Sequence, residues 1–154
     1  MIKKEVINLN NTLNGINAVK GNIQLSYAIV KNISILKSDV EALQEVSKEY
    51  TEKRDVIIKN RFKKDSKGKE ILEDGKPVVD TERFEKSIKE FDEANKKFVE
   101  AYNKILEEEV KLELYKVPIT AFEGLYVVNT ENNQHVDISL SAFELMQFEL
   151  IIKS

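Results

Sequence analysis

Cysteine is absent from the 154-residue chain, which removes disulfides, zinc–thiolate sites and thiol nucleophiles together. Histidine occurs once, at position 135, beside Asn132, Asn133 and Gln134. With no second imidazole near it, a metal centre or a triad has no support, and an exposed loop histidine is expected. There are five glycines and two prolines, so turns punctuate little of the chain. No stretch approaches the roughly 18 uninterrupted apolar residues of a membrane span. The most apolar one, 23–36, contains Gln24, Ser26, Lys31, Asn32 and Ser34. Met1-Ile2-Lys3-Lys4-Glu5 lacks the apolar run of a signal peptide, so a cytoplasmic protein is expected, with no membrane partner.

The usual chemical motifs are missing too. Gly68 and Gly75-Lys76 lack the spacing of a phosphate loop, and Pro77 stands where Ser or Thr is needed. Asp65-Ser-Lys-Gly68 lacks the ligand series of a calcium loop. Glu107-Glu108-Glu109 reads as a solvated helix end rather than a cation site. The chain is therefore read as a non-enzyme with no catalytic, cofactor or metal residues.

What is present is charge, at 33%, alongside 42% hydrophobic residues, a balance usual for long solvated helices. The length is that of one domain, 1–154. The net charge of −3 is unevenly spread. Eight basic residues face two acidic ones between Lys53 and Lys69, and nine acidic residues face three lysines from Glu107 onward.

Periodicity predicts the elements. Residues 2–9 read as a short strand, then Asn10 or Asn11 as the cap of a brief helix through Leu13, Ile16 and Val19 that stops at Gly21. A heptad seam runs through Ile29, Ile33, Leu36, Val40, Leu43, Ser47, Tyr50, Arg54 and Ile57. A second runs through Phe84, Ile88, Phe91, Asn95, Phe98, Tyr102 and Ile105, with Glu–Lys pairs four apart on its outer face, such as Glu82–Lys86 and Glu93–Lys97. Asp74-Gly75 between short apolar runs predicts a hairpin with a type I′ turn, and Pro77 confines its strand to an edge. Asp80 or Thr81 is the expected cap of the second long helix. Val110, Leu112 and Leu114 alternate with polar residues as in a strand, ended by Pro118. Strands are also expected at 125–128 and 136–140, and Ser141…Glu144 predicts a capping box opening a last helix through Leu145, Phe148 and Ile151.

The architecture that follows is mainly α (α+β). A long antiparallel two-helix coiled-coil hairpin, 24–62 and 82–108, carries a β-hairpin at its tip, 65–80, and a small terminal α/β region, 1–21 and 109–154. Asn95 falls opposite Ser47–Tyr50, where a polar layer across the seam is expected. Two surfaces attract a functional reading. Lys59, Arg61, Lys63, Lys64, Lys67 and Lys69 form a basic tip able to meet phosphates, although Phe62 is the only aromatic there for base stacking. Ile23, Val30 and Ile35 lie off the seam as an apolar stripe for self-association, with a dimer favoured.

Three stretches carry a family resemblance: Leu9-Asn-Asn-Thr-Leu-Asn-Gly-Ile-Asn-Ala-Val-Lys-Gly21, the Asp65-Ser-Lys-Gly-Lys…Glu-Asp-Gly75 segment, and Ile138-Ser-Leu-Ser-Ala-Phe-Glu144. They resemble a short helix, a hairpin insert and a closing strand and helix in small proteins of unknown function from tailed phages and prophages of Gram-positive bacteria. The chain departs from them over 118–136. The resemblance implies a viral context, hence the host cytoplasm or the virion, and no activity. The function expected is that of a non-catalytic phage-encoded interaction protein, either an accessory structural or assembly factor or an inhibitor of a host protein. Its partners would be itself and a phage or host protein. The alternative is nucleic-acid binding through 53–69, which the net charge disfavours.

Overall fold

The computed structural model describes residues 1–153, apart from the side chains of Ala142 and Phe143; Ser154, the end of the expected terminal region, lies outside the described residues. The fold is mixed α+β. The chain groups into two compact units, 1–42 with 106–154, and 43–105. Helix α2 (Ile23–Lys59) contributes residues to both.

In the first unit, the strand expected at 2–9 is instead helix α1 (Lys3–Gly15). Val6, Leu9 and Leu13, three and four apart, are all buried, and this helical spacing outweighs the imperfect alternation. Only Ile2 stays extended, bridging Glu109, while its N–H donates to the Glu5 carboxylate at 2.7 Å. Asn10 and Asn11 consequently lie inside the helix rather than capping one, and the Asn10 carbonyl accepts the Asn14 side-chain amide at 2.8 Å. The capping asparagine is Asn22, whose side-chain oxygen accepts the N–H groups of Gln24 (2.9 Å) and Leu25 (3.1 Å) at the start of α2.

The core of this unit joins α1 to Leu25, Ala28, Ile29, Leu36 and Val40 of α2 and to Val117, Phe122, Leu125, Phe148 and Ile151. Between Val110 and Leu114 the side chains alternate as expected, with Val110, Leu112 and Leu114 half-buried and Lys111 and Glu113 exposed. The segment nevertheless joins no sheet; Glu109 bridges Ile2, Val117 bridges Ile152, and the residues between them belong to no strand. Its neighbour is a helix, whose Asn32 side chain bonds the backbone of Tyr115 on both sides. A 3-10 turn, Ile119–Phe122, follows Pro118. Strands β3 (Leu125–Val128) and β4 (His135–Ile138) pair antiparallel. The expected capping box is present: Ser141 and Glu144 bond each other reciprocally at the start of α5 (Ala142–Met146). The last apolar turn is a separate 3-10 segment, Glu149–Ile151, rather than a continuation of α5.

In the second unit, strands β1 (Leu72–Glu73) and β2 (Lys76–Pro77) form the expected hairpin. Asp74 (φ 49°) and Gly75 (φ 76°) both adopt the left-handed backbone that a type I′ turn demands. Asp80 caps helix α3 (Thr81–Ala94), and α4 (Lys96–Leu106) follows. The single helix expected over 82–108 is thus interrupted at Asn95 (φ −104°, ψ 8°). Its side-chain amide donates to the Phe91 carbonyl at 2.8 Å, and the Ser47 hydroxyl likewise donates to Leu43 at 3.0 Å. The expected polar layer is therefore replaced by bonds within each helix, because short polar side chains reach their own backbone first. Tyr102 Oη donates to the Leu43 carbonyl at 3.4 Å. Tyr50 lies 5.1 Å from the rings of both Phe91 and Phe98, and Arg83 donates to the carbonyls of Asn60 (2.7 Å) and Phe62 (3.0 Å). Leu43 is buried here, while Phe84, Ile88, Phe98 and Ile105 are half-buried. The Glu–Lys pairs expected on the outer face are open; Lys86 instead reaches Glu90 at 4.0 Å, and such exposed pairs differ little in energy.

Among the described residues, no helix is long and apolar enough to cross a membrane.

Candidate interaction surfaces

Helix α2 turns one apolar face into the core of the first unit and another into solvent. Ile23, Tyr27 and Val30 follow one another at spacings of four and three, and they are 86%, 55% and 70% exposed. At roughly 100° per residue they fall on a single face. Ile35 lies about 120° round from Ile23 by the same geometry and is half-buried, so it does not extend the stripe. Tyr27 takes its place, a residue the heptad reading passed over although its spacing from Ile23 and Val30 was the available signal. Its ring meets that of Tyr115 edge to face at 5.0 Å and 77°, which fixes an aromatic pair beside the two aliphatic residues. On α2 itself the neighbouring charges are basic. Exposed Lys31 and Lys37 border the face, and no carboxylate occurs between Glu5 and Asp39.

The six residues of the expected basic tip divide into two roles. Arg61 is half-buried; its guanidinium sits 4.3 Å above the Phe62 ring and donates to the Ile58 carbonyl at 2.8 Å, so it supports the local fold. Lys59, Lys63, Lys64, Lys67 and Lys69 are exposed, and none enters an ion pair among the described residues. Lys64 lies 3.4 Å from the Asn60 side-chain oxygen. The Asp65 carboxylate accepts the N–H groups of Lys67 (2.8 Å) and Lys69 (3.0 Å), making a turn that spaces the lysines. Exposed Glu70, Glu73 and Asp74 follow in the same hairpin and dilute the positive field.

His135 opens β4 rather than sitting in the loop, remains exposed, and stacks on Tyr126 at 4.2 Å and 13°. Among the described residues, no group of three histidines and carboxylates is placed to hold a metal ion. Two carboxyl groups are held below their ordinary range, Glu49 by the hydrogen bond it accepts from Lys53 and Glu144 by those from Ser141; both are exposed and locally paired. An open groove of about 910 Å³ is lined by Ile119, Leu145, Met146, Leu150 and Ile152 with Lys116, Glu149 and Lys153 at its edge; Glu149 is exposed. No family model, curated protein or solved structure matches the chain.

Proposed function

We propose that the chain is a non-catalytic interaction protein of phage origin, an accessory structural or assembly factor or an inhibitor of a host protein. The observation that carries this reading is the exposed Ile23–Tyr27–Val30 face of α2, an apolar patch in which Tyr27 leans on Tyr115 while Ile23 and Val30 stay largely open to solvent. Its lysine border and the carboxylate-free stretch around it favour a protein partner whose apolar ridge is flanked by acidic side chains. The resemblance of 9–21, 65–75 and 138–144 to phage and prophage proteins supports the viral context and the host cytoplasm or the virion as its place; self-association as a dimer is part of the same reading and rests on the exposed apolar surface.

The finer architecture belongs to the same reading. The second half of α2 and the α3–α4 pair are taken as an antiparallel coiled-coil hairpin. In support, Leu43 meets Tyr102, Tyr50 meets Phe98 and Phe91, and Asn60 meets Arg83, so residue numbers fall through α4 and α3 as they rise from Leu43 to Asn60.

Nucleic-acid binding is the alternative, favoured by the exposed Lys59, Lys63, Lys64, Lys67 and Lys69. A photo-crosslinker at position 30, used in lysate of phage-infected cells, separates the two. The expected adduct is a single acidic protein, lost in Ile23→Asp and retained in Lys63→Glu/Lys64→Glu. A complex that ignores Ile23→Asp and disappears with salt and with the lysine exchanges would replace the reading by the alternative.

A further inference from the structure

The two edges of the β3–β4 sheet differ. Tyr126 of β3 exchanges both backbone bonds with Lys20, the Lys20 N–H donating at 2.8 Å and the Tyr126 N–H at 3.1 Å. That edge is occupied. The exchange also sets the phase of the ladder, because the N–H and C=O of one residue point to the same side and those of the next to the other. Leu125 and Val127 therefore turn toward β4, where they meet Ile138 and Val136. His135 and Asp137 are left with their backbone groups directed away from β3, and neither has another backbone partner among the described residues.

Two residues that often block pairing are absent from this open edge, since His135–Ile138 holds no lysine and no proline, and its one carboxylate, Asp137, is available to a complementary partner. Its apolar side is also incomplete. Register puts Val136 on the same face as Leu125, Val127 and Ile138, the face that enters the core, and Leu125 is 2% exposed while Val136 is 49% exposed. A two-stranded ribbon is the least stable form of sheet, and added strands stabilise it.

We propose that β4 pairs antiparallel with β4 of a second copy about a two-fold axis at Val136, giving a continuous four-stranded sheet. The charges select this register. Centring the axis on His135 would oppose two imidazoles, and centring it on Asp137 would oppose two carboxylates, an unfavourable cross-strand pair. Centring it on Val136 sets His135 of each copy opposite Asp137 of the other, twice over by symmetry. The outward N–H and C=O groups of the two residues then exchange four backbone hydrogen bonds, and Val136 packs on its own symmetry mate. His135 is presented for this pairing by its stacking on Tyr126. The site rests on the self-association within the proposed function, and it leaves the α2 face open for a different partner.

Sedimentation equilibrium up to near-millimolar concentration tests the register. The wild-type chain is expected to dimerise weakly. His135→Asp, which opposes carboxylates at both symmetric positions, should weaken the dimer by about tenfold. The exchanged pair His135→Asp/Asp137→His should restore it, and Val30→Asp should leave it unchanged. In the wild-type protein, hydrogen exchange at the Asp137 amide should slow as concentration rises, a readout that needs no variant to fold. A dimer abolished by Val30→Asp and indifferent to His135→Asp would place the contact on α2, overturning the β4 site while keeping self-association. A wild-type monomer at near-millimolar concentration, with Asp137 exchanging at one rate throughout, would overturn both.

Discussion

Asn32 and Tyr115, 83 residues apart, are joined by two hydrogen bonds: the Tyr115 N–H donates to Asn32 Oδ1 at 2.7 Å, and Asn32 Nδ2 donates to the Tyr115 carbonyl at 2.9 Å. Asn32 is fully buried on the core face of α2. Its amide supplies one donor and one acceptor to one residue, as a neighbouring strand would. This single side chain ties the extended 110–116 segment to a helix that has no free backbone groups to offer.

Removing that side chain strands a backbone donor and acceptor beside the core. Asn32→Ala should cost about 1–3 kcal/mol, given that water partly reaches the Tyr115 backbone. Asn32→Asp should cost more at neutral pH, since a carboxylate would then face the Tyr115 carbonyl. Urea unfolding followed by circular dichroism checks both, and an Asn32→Ala protein as stable as the parent would discredit the bridge.

Gly21 and Gly75 both hold positive φ, yet alanine should affect them unequally. At Gly75 (φ 76°) a Cβ meets nothing within 4 Å, so only the left-handed backbone opposes it, at about 1–2 kcal/mol. At Gly21 (φ 112°) a Cβ would fall 2.3 Å from the Gly124 carbonyl oxygen, a backbone atom that cannot rotate away. Gly21→Ala should therefore exceed Gly75→Ala by at least about 1 kcal/mol. Equal melting temperatures for the two variants would contradict that close approach.

These two sites also indicate what could be read from the residues alone. Local signals were legible: Asp74-Gly75 specified its turn, Ser141 and Glu144 their capping box, and alternation sorted Val110, Leu112 and Leu114 from their polar neighbours. Long-range pairing was not. Nothing in 110–116 tells that its partner is an asparagine on a helix, so a strand was the natural expectation. Helix α1 escapes the sequence pattern because Val6, Leu9 and Leu13 reveal their face only over about two turns, while Ile2 alone begins extended. For the surfaces, the lysines and Ile23 and Val30 were visible as exposed positions. Tyr27 and the open edge of β4 depend on Tyr115 and Lys20, each distant in the chain.

The Ser141–Glu144 box makes a pH-dependent element. Bonds from the Ser141 hydroxyl and N–H, both 2.7 Å, hold the Glu144 carboxyl below its ordinary range. A folded value below the unfolded one, about 4.3, means that the stabilisation is fully present above that unfolded value. It is lost as pH falls through the lowered folded value. Ser141→Ala should return the Glu144 titration toward the ordinary carboxylate range. Carboxyl NMR titration of the two proteins decides this; identical midpoints would dismiss the box as a source of the shift.

The exposed lysines of the second unit invite a nucleic-acid test, and the expected result is negative. Lys59, Lys63, Lys64, Lys67 and Lys69 project without ion-pair partners among the described residues, but Arg61 is committed to Phe62 and Ile58. Phe62 is half-buried beneath that guanidinium and so offers no open platform for a base. With a net charge of −3, the whole chain repels a phosphate backbone at distance. The wild-type protein should show no appreciable DNA or RNA binding at physiological salt in a fluorescence-anisotropy titration. Were it to bind, each lysine contact removed by Lys63→Glu/Lys64→Glu should lower the slope of log affinity against log salt by about 0.7–0.9. Fold stability should hardly respond to those exchanges, because exposed charges contribute little alone. A salt-sensitive complex at physiological ionic strength that depends on Lys63 and Lys64 would reverse the assignment of this surface.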